Sequence, residues 1–260
     1  MNVFDFTTIN EIFDNRIAFR NLEPLDPEIP GFKSICQEID LQANNLPRKN
    51  DLMYAQIVVE IVKSSYQLVN CGDHIKNLIF VGDTRFNDVM AFNNICNIGE
   101  WNGKAFIASE NMNDPTSIDV HTNESGYEIY YSNRWQKIYD FDHHLNSSSG
   151  FSIDENTVII LDIDKTLLGA RGRNSQVIDN VRIEAVRQTV QHVLREVFDA
   201  EYFVSAYDCF NDINYHEFTF DNQDYLAYLC MIICSGLVSV DDVQSNLKSG
   251  NMSTIFDFVH

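Results

Sequence analysis

Residues 156–174 read NTVIILDIDKTLLGARGRN, and the reading of this stretch decides the fold. Val158, Ile159, Ile160 and Leu161 form an unbroken apolar run with β-branched weight, the pattern of a strand buried on both faces of a parallel sheet. The run ends in Asp162, Asp164 and Thr166. In open α/β sheets, ligands bind outside the carboxyl ends of the strands, so carboxylates at that point are placed for chemistry. The plainer alternative is a strand that closes in a solvated acidic turn. Asp-x-Asp-x-Thr directly behind four buried apolar residues is more specific than such a turn requires.

A second run of the same kind lies upstream. Residues 77–81, NLIFV, lead into Gly82 and Asp83, and Asp88 follows five residues after Asp83. Two apolar strands, each ending in an acid, predict an α/β fold with its functional residues at the strand tips.

These stretches resemble the haloacid dehalogenase superfamily. Asp162-Ile163-Asp164-Lys165-Thr166 matches the family's first motif, an apolar strand followed by Asp-x-Asp-x-Thr/Val. Residues 77–88 match its fourth motif, a strand ending in Gly-Asp with another Asp shortly after; the second acid usually stands four residues on, and some members show the five found here. Lys49 resembles the third motif, a Lys opening the helix before the fourth-motif strand, with Arg48 and Lys63 as competitors for that role.

The resemblance implies a three-layer Rossmann-like parallel sheet carrying an α-helical cap, and phosphoryl transfer assisted by Mg2+. Asp162 would attack phosphorus and form an aspartyl-phosphate; Asp164 would protonate the leaving group and later take a proton from the attacking water. Asp162, the Asp164 carbonyl and Asp83 would hold the ion, with Asp88 direct or through water. Lys49 would neutralise the transition state and Thr166 would support the loop, while Arg171 and Arg173 lie near enough to contact the substrate's phosphate. A second Asp at this place separates the family's phosphatases from its dehalogenases. The implied activity is hydrolysis of a small phosphorylated metabolite.

The order of the motifs is unusual, because Asp83 precedes Asp162 by nearly eighty residues whereas the family places the nucleophile strand first. A circular permutation accounts for this, since termini can move to surface connections without altering a site. The family's second motif, a Ser or Thr at the end of the next strand, has no good match after Thr166. Either residues 2–6 are that strand, with Thr7 or Thr8 supplying the hydroxyl, or the strand comes from a longer parent chain, a second copy or a partner chain.

With 260 residues and 45% hydrophobic content the chain can bury one sizeable core with a smaller appended domain. We expect an α/β core over 1–175, with a linker near 146–150, and a helical cap over 176–260 that sets substrate choice. The net charge of -20, from 18 basic and 38 acidic residues, repels nucleic acid and anionic membranes, so neither is expected as a partner. No run is long enough to span a membrane and the first residues carry no signal core, which points to the cytoplasm. The six cysteines form no C-x-x-C pair and read as buried thiols.

Along the chain, the Pro-rich residues 23–31 predict an ordered turn between two short elements. Met53, Ile57 and Ile61, flanked by Val58 and Val62, predict a helix over 51–68 that covers the sheet. A helix over 89–96 and a strand over 103–108 follow, then a polar passage over 109–126, alternating Tyr127, Ile129 and Tyr131, and a short helix toward Leu145. His143 and His144 point apart and suggest no metal pair. Residues 169–174 read as a flexible basic loop. Ile183, Val186, Val190, Val193, Leu194, Val197 and Phe198 form a helical stripe, and another apolar helix runs over 225–237. Tyr215, Asn222, Asp224 and Tyr225 are candidates to face the site from the cap, or else capping and packing groups. Two other function classes remain: a catalytically incomplete relative that binds metal or phosphate, and an acidic structural or regulatory subunit.

Overall fold

The computed structural model describes residues 7–39, 46–69, 74–147, 150–220 and 222–259. The chain divides into two compact units, Met1–Ser175 and Gln176–His260. The first is α/β and the second is helical.

The first unit begins with α1 (Ile9–Phe13) and α2 (Phe32–Glu38). The Pro-rich turn between them is ordered by Leu22 and Ile29, which are buried with Phe32 and Ile35. Then come α3 (Leu52–Leu68), β1 (Asn77–Gly82), α4 (Asn87–Gly99), β2 (Asn102–Ala108), β3 (Ile118–Thr122), β4 (Glu128–Ser132), α5 (Ile138–Ser147) and β5 (Thr157–Leu161). The strands lie in the order β3-β4-β2-β1-β5. All neighbours pair in parallel except β3, which runs antiparallel to β4 at one edge.

Side chains alternate across this sheet and give it two apolar faces. On one, Leu78, Phe80, Ala105 and Ile107 pack against Ala55 and Val59 of α3 and Phe92 and Ile95 of α4. On the other, Ile79, Val81, Phe106 and Tyr130 pack against Phe141 and Leu145 of α5. Helices on both faces make three layers, as expected. The Met53-Ile57-Ile61 stripe of α3 does not meet the sheet, however. It meets Leu22, Ile29, Phe32 and Ile35, and the sheet-facing stripe is the one through Ala55 and Val59. Within the first unit, Asn146 and Ser147 of the expected linker form the end of α5, and the two units divide after Ser175.

The fullest correction concerns β5. The strand is parallel, but it lies at the edge of the sheet, and Ile159 is 56% exposed. The Asn77 amide donates to Asn156 O and the Asp162 amide to Val81 O. That phase turns the main chain of Val158 and Ile160 toward β1, and that of Ile159 and Leu161 outward.

The second unit contains α6 (Gln176–Leu194), α7 (Ala200–Phe210), α8 (His216–Thr219), α9 (Gln223–Cys234), α10 (Val240–Ser249) and α11 (Ile255–Val259). Val186 and Val190 of α6 join Phe203, Tyr207 and Phe210 of α7 and Leu226, Leu229 and Ile233 of α9 in one core. The predicted stripe is shorter than its pattern: α6 ends at Leu194, and Val193 and Val197 are exposed. Asn222 caps α9, its Oδ1 accepting from the amides of Asp224 at 2.9 Å and Tyr225 at 3.3 Å. Tyr225 packs edge-on to Phe220 and Phe256, and the Tyr215 hydroxyl accepts from Gln244 at 2.9 Å. Capping and packing therefore account for the Tyr215, Asn222 and Tyr225 side chains. Asn222→Ala should destabilise this unit by about 1 kcal/mol, read as a lower midpoint in denaturant unfolding; an unchanged midpoint would refute the cap. No helix among the described residues is long and apolar enough to cross a membrane, and the five described cysteines are free thiols.

Candidate active site

β1 and β5 end side by side, and the acids that follow them meet. Their pairing sets Val81 opposite Leu161, so Asp83 and Asp162 leave neighbouring strands in the same direction. Asp88, in the first turn of α4, folds back beneath the tip of β1. Its Oδ2 accepts the amides of Asp83 and Thr84 at 2.8 Å each, and its own amide donates to Thr84 Oγ1 at 3.1 Å. Asp83, Asp88 and Asp162 each present a carboxylate oxygen within 4.8 Å of the other two. The group is sunk in the protein: Asp83 is 5% exposed and Asp88 1%.

Gly82 makes room for this return. A Cβ at Gly82 would meet Asp88 Oδ2 at 2.5 Å, so the glycine before Asp83 answers a steric demand of the acid six residues on. Gly82→Ala should cost about 1–3 kcal/mol as Asp88 is pushed off the two amides. Denaturant unfolding measures it, and a loss below about 0.5 kcal/mol, the size of an ordinary surface change, would contradict the crowding.

Lys49 is carried by a turn over 48–51 in which the Arg48 amide donates to Asp51 Oδ2 at 2.7 Å. Asn94 of α4 donates to the Asn50 carbonyl at 3.2 Å and ties that turn to the site. Lys49 Nζ lies 2.6 Å from Asp162 Oδ1 and also pairs with Asp88 Oδ1. Asp88 Oδ1 is otherwise buried without a hydrogen bond.

The charges are unequally stabilised. Burial works against the Lys49 ammonium, but Asp88 and Asp162 outweigh it and raise its pKa. Burial pushes Asp88 upward too, yet Lys49 and the two amides hold it below the usual carboxylate range. Asp162 is pushed up by burial, with Lys49 pulling against and Asp88 and Asp164 adding to the push. Asp83 is raised to about 6 by burial, with Arg171 opposing and Asp88 and Asp162 reinforcing. Asp88 is thus the firmest anion of the three, and Asp83 and Asp162 are held at an electrostatic cost.

The loop after β5 is pinned, contrary to its flexible reading. Lys165 adopts a left-handed conformation (φ 61°), and the Arg171 amide donates to the Lys165 carbonyl at 2.7 Å. The Arg171 carbonyl in turn accepts from the Glu110 amide at 2.9 Å and the Trp135 indole at 3.0 Å. Gly172, at φ +77°, lies against the Glu110 backbone where a Cβ would clash. Arg171 Nε donates to Asp83 Oδ2. Arg173 forks onto the buried Glu110 at 2.7 and 3.3 Å.

Thr166 Oγ1 faces Asp162 Oδ2 at 3.4 Å. Asp164 is exposed two residues beyond Asp162 and close enough to affect that carboxyl's charge. Lys49, Asp83, Asp88, Asp162, Thr166 and Arg171 therefore converge. Thr7 does not join them: it is exposed and donates to Glu11 at 2.9 Å, while Thr8 caps α1. The strand expected over 2–6 lies outside the described residues. His144 faces Glu128 at 3.5 Å and belongs to no metal-ligating group among the described residues.

No family model, curated protein or solved structure matches the chain. What the site can do rests on its own chemistry. Three carboxylates that bring hard oxygen atoms within 4.8 Å of one another suit a divalent cation that prefers oxygen. Glu110 and Trp135, which fix the arginine loop, carry no motif in the sequence. Their one signal is position: Glu110 stands two residues past the end of β2, at the same edge of the sheet as the other acids.

Proposed function

We propose that the chain is a Mg2+-dependent phosphatase of small phosphorylated metabolites, a circularly permuted relative of the haloacid dehalogenase superfamily acting in the cytoplasm. One observation carries this reading: Asp83 and Asp162, far apart in sequence, stand at the tips of adjacent parallel strands with Lys49 between Asp162 and Asp88. The same adjacency supports the permutation, since the strand bearing the Gly-Asp pair comes first in the chain yet lies beside the strand bearing Asp-x-Asp-x-Thr.

In this reading Asp162 attacks phosphorus, the bond from phosphorus to the ester oxygen breaks, and an aspartyl-phosphate forms. Asp164, exposed beside it, gives its proton to the departing alcohol. It then takes a proton from the water that displaces Asp162, and inorganic phosphate leaves. Lys49 keeps its charge in a buried setting and so balances the negative charge that gathers on Asp162 and the phosphoryl oxygens. Thr166 steadies the Asp162 carboxylate. Mg2+, held by Asp83, Asp88 and Asp162, would offset the repulsion between Asp162 and an anionic substrate.

Hydrolysis of p-nitrophenyl phosphate with Mg2+ present and absent tests the proposal, alongside thermal melts in the same buffers. Mg2+-dependent turnover and a raised midpoint support it; neither effect would sink it. A second reading, a cation-binding protein without turnover, is favoured by the edge position of β5, beside which no strand among the described residues brings a second-motif hydroxyl. A raised midpoint with no hydrolysis would select it.

A further inference from the structure

We propose that Arg171 and a divalent cation compete for the Asp83 carboxylate, so that arrival of the cation releases the guanidinium for the phosphoryl group of the substrate. This rests on the reading of the acidic trio as a cation site. Charge repulsion motivates it. Lys49 and Arg171 already set two positive charges against the three carboxylates. Arg171 Nε already engages Asp83 Oδ2, so a divalent ion on the same carboxylate would stand beside the guanidinium in a largely buried setting, where two poorly screened positive charges repel.

One of the two side chains must give way, and the contacts choose between them. Lys49 bridges two of the acids, Asp88 and Asp162, from a turn tied to α4. Arg171 reaches Asp83, and its main chain is held independently through Lys165, Glu110 and Trp135. The guanidinium can therefore leave Asp83 while the loop stays in place. Its planar fork suits phosphate oxygens as well as a carboxylate. Arg173 cannot serve in the same way, because its fork is engaged by Glu110.

Calorimetric titration of the full chain with Mg2+ and Mn2+ tests the competition, comparing wild type, Arg171→Met and Arg173→Met. The last removes a nearby positive charge that does not touch Asp83. Arg171→Met should bind the cations about tenfold more tightly than wild type, and Arg173→Met within about twofold of it. If Arg171→Met gains no more than Arg173→Met, the competition is wrong while the cation site stands. If no form binds a cation, both fall together.

Titration with inorganic phosphate at saturating Mg2+ tests the release: Arg171→Met should bind it about tenfold more weakly, and unchanged affinity would overturn that half. Should the methionine variant fail to fold, Arg171→Gln keeps a donor for Asp83 without the charge and is read in the same way. In the wild type, the Arg171 Nε–H resonance should move on titration with Mg2+; a resonance that stays in place at saturation would overturn the proposal.

Discussion

Asp162→Asn is expected to lower hydrolysis of p-nitrophenyl phosphate by about 10³-fold or more while leaving the protein folded. An amide cannot form the acyl-phosphate bond, so the loss follows directly if Asp162 is the nucleophile. The fold should survive for a separate reason. The substituted amide would keep an oxygen to accept from Lys49, and burial already disfavours the Asp162 carboxylate. A neutral side chain of the same shape removes that burden together with part of the attraction to Lys49, so the net change in stability should stay within about 1 kcal/mol. Turnover equal to wild type would discard the catalytic assignment. A variant that unfolds would mark Asp162 as a structural acid.

Lys49→Met is expected to be the most destabilising substitution at the site, by about 3–5 kcal/mol. It leaves Asp88 Oδ1 buried without hydrogen bond or counter-ion, and takes from Asp162 its cationic partner. Denaturant unfolding at neutral pH measures the loss. The deficit should shrink as pH falls, because Asp88 and Asp162, no longer held down by Lys49, take up protons more readily than in wild type. Mg2+ should raise the melting midpoint of this variant more than that of wild type, because Asp88 and Asp162 then lack their internal cation. A variant as stable as wild type at neutral pH would show that the ammonium does not hold the acids together.

The parts legible in the sequence are those whose causes are local. A β-branched apolar run ending in an acid marks a parallel strand and its functional end together, which is why Asp83 and Asp162 can be named before any geometry. Lys49 is harder, since a lysine near a helix start is usually a solvated charge and only the turn tied down by Asn94 distinguishes it. The edge position of β5 is not readable, because TVIIL would look the same in the middle of a sheet. Nor is β3, its outward residues Asp119, Val120, His121 and Thr122 carrying no apolar alternation. The arginine loop reads as flexible because what pins it, Glu110 and Trp135, lies far away along the chain. Likewise α3 displays two stripes, and pattern alone does not say which one meets strands and which the amino-terminal turns.

The pairing of Asn77 with Thr157 has a consequence in time. During synthesis β1, β2 and the helices α3 and α4 can pack long before β5 leaves the ribosome, so the acidic trio is among the last features of its unit to come into being. Joining β1 to β5 closes one of the longest loops in that unit, and long-range parallel pairing of this kind is slow compared with local helix formation. A nascent chain that stops short of residue 157 would own Lys49, Asp83 and Asp88 but no third wall to set against them.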